Sequence, residues 1–353
     1  MKAYINSLCA ISPADTFSGE FQLQVSETAY TSDFLKCIEP DYKEIINPNL
    51  IRRMGRVIKM GVAASLKCLK DIQLENPDAI ITGTSLGCIE DTEKFLHQIV
   101  INNEQFLPPT SFIQSTHNTI AGQIALMLKC NSYNYAYVHR NFSFENALLD
   151  ALMMLTEQPA HKILLGGVDE ITEVSYTIMQ RLQIYKSAKD LSPDVFRTKT
   201  EGSIAGEGAT FFVVSNSPEK AFAAIEGVKI FYKPLDETET QNHINNFISE
   251  HGLSANDIDA VIMGYSGDSR YDALYDKMAD SIFAHNNIMY YKHLSGEYFT
   301  SSAFAMWTAA QMIKKQVFPD AMKYRFVSPK AVEKVLIYNQ YKNSEHSLIL
   351  LSE

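Results

Sequence analysis

The sequence is short of the features that announce the common chemistries. Its five cysteines, Cys9, Cys37, Cys68, Cys88 and Cys130, form no C-x-x-C pair, so neither a disulfide framework nor a zinc site is expected, and buried small hydrophobes is the reading for most of them. Nine histidines are scattered without H-x-x-x-H spacing. There is no G-x-x-x-x-G-K-S/T phosphate loop, and Gly206-Glu207-Gly208-Ala209 is too weak a pattern to stand for one. No apolar run reaches roughly 18 residues, and no basic-then-apolar leader stands at the start. A cytoplasmic protein without membrane insertion, cofactor or metal is the expectation. Basic residues are outnumbered, 31 Lys and Arg against 41 Asp and Glu, for a net charge of −10. That balance argues against nucleic acid or an anionic membrane as the main partner.

What is present is an α/β pattern. With 353 residues, 46% hydrophobic and 20% charged, the chain is long enough for one large α/β domain or two fused smaller ones. Residues 3–9 read as a first strand and Ile51–Leu69 as a long helix. The basic side of that helix, Arg52, Arg53, Arg56 and Lys59, suits phosphate, but a solvated or acid-paired face is the preferred reading. DAIITG at 78–83 is a buried strand, followed by a turn and a helix to Phe95. A Pro108-Pro109 loop comes next, then a helix from Asn118. Residues 190–204 read as loop, leading through 206–209 to a strand at 210–214. Beyond Ser217 come a strand at 223–232, a helix at 238–251 ended by Gly252, strands at 259–264 and 288–291, a turn at 292–297 and a buried helix at 299–313. Two strands, at 335–338 and 347–351, close the chain.

Residues 133–168 organise the rest. Tyr133, Tyr135 and Tyr137 alternate as in a strand; Phe144, Ala147, Leu148, Ala151 and Leu155 recur at helical spacing; HKILLGGV is a second buried strand. Strand, sharp turn, buried helix and strand is the layout of a nucleophile elbow, where a helix N-terminus favours an anion. The turn reads His139-Arg140-Asn141-Phe142-Ser143 and holds no cysteine. A further pattern is repetition. DAIITG at 78–83 and DAVIMG at 259–264 are near copies, each followed by a turn, a helix, a strand and a turn into a small-residue-rich helix. This argues for a duplicated fold with halves at about 1–215 and 216–353.

LPPTSFIQSTHNTIAGQ, the elbow, Gly166-Gly167, GEGA and KHLSGEYFTSSAFA, in that order, resemble a β-ketoacyl-ACP synthase, a thiolase-fold condensing enzyme. Ser115 to Asn118 is closest to the divergent ketosynthase-like and chain-length-factor subunits of bacterial polyene pigment pathways. The resemblance implies five layers, α/β/α/β/α, and a dimer joined through the strand before the elbow helix. It also implies acyl carrier protein as a partner and a Cys-His-His catalytic set. Carried over position by position, the cysteine slot falls at Asn141, within about two residues, and the two histidine slots at Met263 and Glu297. The lysine of the second histidine turn is Lys292, and the aromatic gate matches Tyr341 loosely. A thiolate serves as nucleophile and leaving group, and neutral donors stabilise the enolate; neither is found in those slots. The expected protein is therefore a non-condensing partner of an active ketosynthase. Two alternatives stand beside it. One is an acyl transferase or thioesterase-like enzyme using Ser143, His139 or His293 with Glu297. The other is a homodimeric acyl-binding scaffold.

Overall fold

The computed structural model describes residues 2–353 apart from 20, 22, 108, 193, 195–198 and 328–330. The strands are β1 (Ala3–Ile11), β2 (Ala79–Gly83), β3 (Tyr133–Tyr137), β4 (Lys162–Asp169), β5 (Gly208–Ser215), β6 (Ala223–Tyr232), β7 (Ala260–Met263), β8 (Asn287–Tyr290), β9 (Lys323–Arg325), β10 (Lys334–Tyr341) and β11 (Glu345–Ser352). The helices are α1 (Pro48–Ile51), α2 (Arg56–Asp71), α3 (Ile89–Ile101), α4 (Pro109–Gln114), α5 (Thr119–Leu128), α6 (Ser143–Glu157), α7 (Glu173–Arg181), α8 (Glu237–Glu250), α9 (Ala273–Asp280), α10 (Lys292–Ser295) and α11 (Ser301–Lys315).

The sheet order is β3-β2-β4-β5-β1-β6-β11-β10-β7-β8-β9. It is the same five-strand pattern twice, laid edge to edge in opposite senses. Within each set three neighbours are parallel, β3, β2 and β4 in one and β8, β7 and β10 in the other, and the remaining pairings are antiparallel. Only three residue pairs, Ala3↔Ile225, Tyr4↔Ala224 and Ile5↔Ala223, join the two sets. The near copies DAIITG and DAVIMG occupy equivalent strands, and their aspartates do equivalent work. The Asp78 carboxylate accepts the Lys162 N–H at 2.7 Å, and Asp259 accepts the N–H groups of Glu333 and Lys334 at 2.9 and 2.8 Å. Each aspartate anchors the first residue of the strand that runs parallel beside its own.

Three cores separate the layers. Helices α6 and α11 are packed between the two strand sets, where Phe144, Leu148 and Trp307 meet Ile81 and Leu165 of one set and Ile262, Ile337 and Ile349 of the other. The outer face of the first set is covered by α2 and α5, that of the second by α8 and α9. This gives the five layers of a duplicated thiolase-like fold. Every residue of α11 from Ser301 to Ile313 is buried, as an all-round apolar helix requires. Burial of a large side chain contributes about 1.5–3 kcal/mol.

The local readings need several corrections. The long helix at 51–69 is two helices, because Gly55 caps α2 in an extended conformation and a side chain there would meet the Asp91 carboxylate at 2.6 Å; periodicity carries no trace of that close approach. The first-half helix after β2 runs on to Ile101 and Pro109 opens α4, while Pro108 lies outside the described residues, as do 193 and 195–198 of the expected loop. Lys292 opens a one-turn helix rather than a plain turn. Strand β9, three residues long, carried no alternation to read. Cys9, Cys68, Cys88 and Cys130 are buried, Cys37 is half-buried, and all five are free thiols.

Candidate functional site

The elbow forms where the end of β2 passes under the start of α6. A side chain on Gly83 would sit 2.6 Å from the Ser143 carbonyl group, so only glycine lets the strand approach. The turn itself holds Arg140 at φ +46°, a left-handed conformation costly for a residue with a Cβ. Ser143 is the first helical residue, with Phe142 as the cap residue before it. Its hydroxyl accepts the His139 N–H at 2.8 Å and donates to the Arg140 carbonyl at 2.7 Å. It braces the turn. The exposed His139 ring stacks on Phe142 at 5.5 Å. Asn141 is buried and donates from Nδ2 to the Glu345 carboxylate at 2.9 Å.

The other slots come from the second strand set. Met263 ends β7, fully buried in the outer apolar core. Lys292 and Glu297 leave opposite ends of α10 and meet at 2.5 Å, both side chains nearly solvent-free at 1% and 6% exposure. The Glu297 main chain is held by Ile204 and Gly206. Gly206 and Gly296, the latter at φ +71°, pack backbone on backbone there; a Cβ on Gly206 would meet the Ser295 carbonyl at 2.2 Å. Burial raises the Glu297 carboxyl above its ordinary range, and the Lys292 charge opposes that. The same ammonium acts on Glu145 of α6, a buried carboxyl that accepts the Ser347 hydroxyl at 2.9 Å and is pushed by burial up to about 7.

Tyr341 ends β10, with Phe299 edge-on at 6.0 Å and the Lys342 ammonium 5.2 Å above its ring. Burial and the Glu297 charge push its phenol up. Glu345, the partner of Asn141, pairs with Tyr341 across the β10–β11 hairpin. Ser203, Ser266, Glu297, Gln340, Tyr341 and Lys342 line what remains of the cleft, a cavity of about 10 Å³. That is space for roughly one water.

The fold therefore brings Glu297 and Tyr341 to one small cavity, with Lys292 paired to Glu297, Asn141 tied to the same hairpin and Met263 buried in the outer core. It does not gather Ser143, His139 or His293 around Glu297. His293 points its Nε2 at the Ala321 carbonyl, 2.7 Å away, stacks on Tyr290 at 4.0 Å, and is lowered by burial to about 4. Three polar residues escaped the sequence reading. One is Glu145. Another is Glu207 of GEGA, fully buried, whose two oxygens take both ends of the Arg56 guanidinium at 2.5 Å; that settles Arg56 as an acid-paired residue. The third is Asp169, two residues after the glycine pair. It accepts N–H groups of the β2 turn on one oxygen and the Thr300 N–H and hydroxyl on the other. Its position after Gly166-Gly167-Val168 was the one available signal. Among the described residues no group of three His, Cys, Asp or Glu side chains is placed to hold a metal ion, and no helix is long and apolar enough to cross a membrane.

Residues 36–191 match the model of the beta-ketoacyl synthase N-terminal domain. Among solved structures, a beta-ketoacyl synthase from Burkholderia phymatum STM815 superposes with a TM-score of 0.81 at 16% identity, covering 100% of this chain and 99% of its own. The ishigamide ketosynthase/chain length factor gives 0.79 at 15% identity, over 99% and 98% of the two chains. The ketosynthase ApeO in complex with its chain length factor ApeC, from Xenorhabdus doucetiae, gives 0.77 at 13%, over 100% and 98%. No curated protein matches the chain. The matched segment and the full-length superpositions converge on the fold: the chain has the thiolase-like fold of the ketosynthases it superposes on.

Proposed function

We propose that this chain is the non-condensing, chain-length-factor-type subunit of a ketosynthase pair, working with an active ketosynthase and acyl carrier protein in a fatty acid or polyketide-type synthesis of the aryl polyene kind. The observation that carries this reading is the buried Lys292–Glu297 pair, 2.5 Å apart, whose carboxyl lines a cavity of only about 10 Å³. Decarboxylative condensation needs a thiolate that attacks and leaves, and neutral donors where the enolate charge develops. An asparagine bonded to Glu345 supplies no nucleophile, and a buried carboxyl beside an enolate opposes its charge.

Two of the superposed structures are described as ketosynthase with chain length factor, and a third, AntDE:AntF, as a ketosynthase with its acyl carrier protein. The surface agrees with a subunit that spends its life covered. Edge strand β3 leaves Tyr133 and Tyr135 43% and 50% exposed, and the segment from α3 to α4 exposes Val100, Phe106 and Ile113. Large apolar side chains this exposed suit a surface that a partner covers.

The test is intact-mass analysis after incubation with acyl carrier protein thioesters, of this chain alone and of its co-purified complex with a cysteine-bearing ketosynthase. No acyl adduct is expected on this chain, and the adduct should sit on the partner. An adduct within residues 139–143 would promote the acyltransferase alternative instead. Asn141→Cys alone should yield no condensation, because Met263 and Glu297 still occupy the donor positions.

A further inference from the structure

A line of aromatic rings crosses the second half from β10 to solvent. It starts at Tyr338, whose hydroxyl lies 3.1 Å from Nδ1 of His346 in β11. Tyr275 of α9 meets Tyr338 edge-on, ring centroids 5.3 Å apart, and Tyr265, in the loop after β7, packs on Tyr275 at 4.9 Å. Tyr324 of β9 ends the line, 5.2 Å from Tyr265. The first three are buried and Tyr324 is exposed. The backbone plan does not demand the inner ring, because Gly166 stands in β4 where Tyr338 stands in β10.

The hydroxyls differ in what they can do. A phenol gives up an electron readily only when its proton leaves too, since the oxidised phenol is a strong acid. Burial disfavours the phenolate and raises Tyr338, Tyr275 and Tyr265, so each stays neutral and needs a bonded base. Tyr338 has His346, which burial lowers to about 4 and so leaves uncharged. Tyr265 and Tyr324 share a base: both donate to Oδ1 of Asp276, at 2.9 and 3.2 Å. Among the described residues Tyr275 has none. Its hydroxyl accepts the Gln340 N–H at 2.8 Å and faces only the Gln340 carbonyl, at 3.4 Å. The Tyr275 ring therefore serves as a bridge, between phenols that can be oxidised on either side of it.

We propose that these four tyrosines carry a one-electron oxidation of the second-half core out to the surface, with His346 and Asp276 taking the phenol protons. The oxidant is of the peroxyl-radical class. It takes an electron from Tyr338 and a proton from solvent and leaves as a hydroperoxide, while the Tyr338 proton moves to His346. Tyr265 then reduces Tyr338 through the Tyr275 ring and gives its own proton to Asp276, as His346 returns the first. Tyr324 reduces Tyr265 in turn, its proton replacing the one that Asp276 hands back. A soluble thiol gives a hydrogen atom to Tyr324 and becomes a thiyl radical, and Asp276 releases its proton to solvent. Met263 and Met278 lie in the same core, where oxidation to a sulfoxide would set a polar group among packed apolar ones. The path holds whether or not the chain pairs with a ketosynthase.

Laser-flash oxidation of the full chain tests it. A ruthenium bipyridine complex is coordinated to His243, and the singly labelled species is isolated. His243 stacks on Phe231 at 4.3 Å, and Phe231 on His346 at 4.7 Å, so the flash injects the oxidation at the inner end. Transient absorption and freeze-quench electron paramagnetic resonance follow the tyrosyl radical, and its decay with added glutathione gives the repair rate. The radical should reach Tyr324 and be repaired quickly. Tyr324→Phe should strand it inside and slow repair by an order of magnitude or more, and Asp276→Asn should do the same by removing the base. Tyr275→Phe keeps the bridging ring and should leave the rate unchanged, whereas Tyr275→Leu should slow it. Urea unfolding checks each variant; Tyr324→Phe removes one exposed hydroxyl and so reads the path even if Tyr275→Leu does not fold. A chain that forms no tyrosyl radical overturns the proposal. So does unchanged repair in Tyr324→Phe, in Asp276→Asn or in a folded Tyr275→Leu, or slowed repair in Tyr275→Phe.

Discussion

Strands β4 and β10 hold equivalent places in the two halves, and each pairs over eight residues with the strand that follows it. Their side chains differ where it matters. Gly166 and Gly167 stand in β4 where Tyr338 and Asn339 stand in β10. A Cβ on Gly166 would lie 2.3 Å from the Phe211 ring, and one on Gly167 3.0 Å from Ala303 of α11. In the second half Tyr338 fills that space and bonds His346 at 3.1 Å. The connections differ further. In the first half, residues 170–207 separate the paired strands and carry α7; in the second, only 342–344 do. The first half ends in an open edge, β3, while β8 is covered by β9. One backbone plan thus serves two ends. The first half presents surfaces, and the second supplies Met263, Lys292, Glu297 and Tyr341, of which Glu297 and Tyr341 line the cavity.

The comparison can be broken first at the buried pair. Lys292→Met leaves Glu297 buried without a counter-charge and should cost about 3–5 kcal/mol in urea unfolding, with Lys292→Met/Glu297→Leu regaining most of it. A cost near zero would mean that Lys292 is not what keeps the Glu297 charge buried. The halves should next separate by pH. His293 and His346 of the second half are both lowered by burial to about 4. The unfolded chain takes up these protons near the ordinary imidazole value, so stability is lost as pH falls from about 6.5 toward 4. The loss is about 2 kcal/mol per histidine at pH 5. Hydrogen exchange at pH 5 should open β10 and β11 before β4 and β5, and His346→Phe should blunt the effect. Buried Glu145 and Glu170 of the first half, raised by burial to about 7 and about 8, and Asp272 of the second, raised to about 7, act in the opposite sense and lose stability as pH rises above the carboxylate range.

Smaller effects sharpen the duplication. Asp259 accepts two N–H groups and Asp78 one. Asp259→Ala should therefore cost about 2 kcal/mol and Asp78→Ala about 1, read from chemical denaturation. Equal costs would mean that the shared motif does not do shared work. The smallest expected change is a gain. Lys342 and Asn343 both sit at positive φ, +53° and +52°, in the tight second-half turn. Lys342→Gly should stabilise by about 0.5 kcal/mol, seen as a rise in Tm, because glycine adopts that conformation without steric cost.

Much was determined by the sequence alone. Helical spacing and a short apolar run located α6 and β4, because those elements bury one face or all of it, and burial dictates residue type; β3 was found by its alternating tyrosines although they stay exposed or half-buried. The repeated DAIITG and DAVIMG exposed the duplication, since each copy needs the same aspartate at the same strand start. The missing elbow cysteine was legible for the simplest reason, that a thiolate has no substitute. Tertiary structure alone decided what occupies the cleft. That Lys292 meets Glu297, that Glu145 and Asp169 are buried acids with partners from the second half, and that Glu207 grips Arg56 depends on contacts between residues up to 202 apart in the chain. No periodicity encodes such contacts. Whether a carboxylate is solvated or sealed inside a protein is a property of the packed layers around it, and those exist only once both halves have closed on α6 and α11.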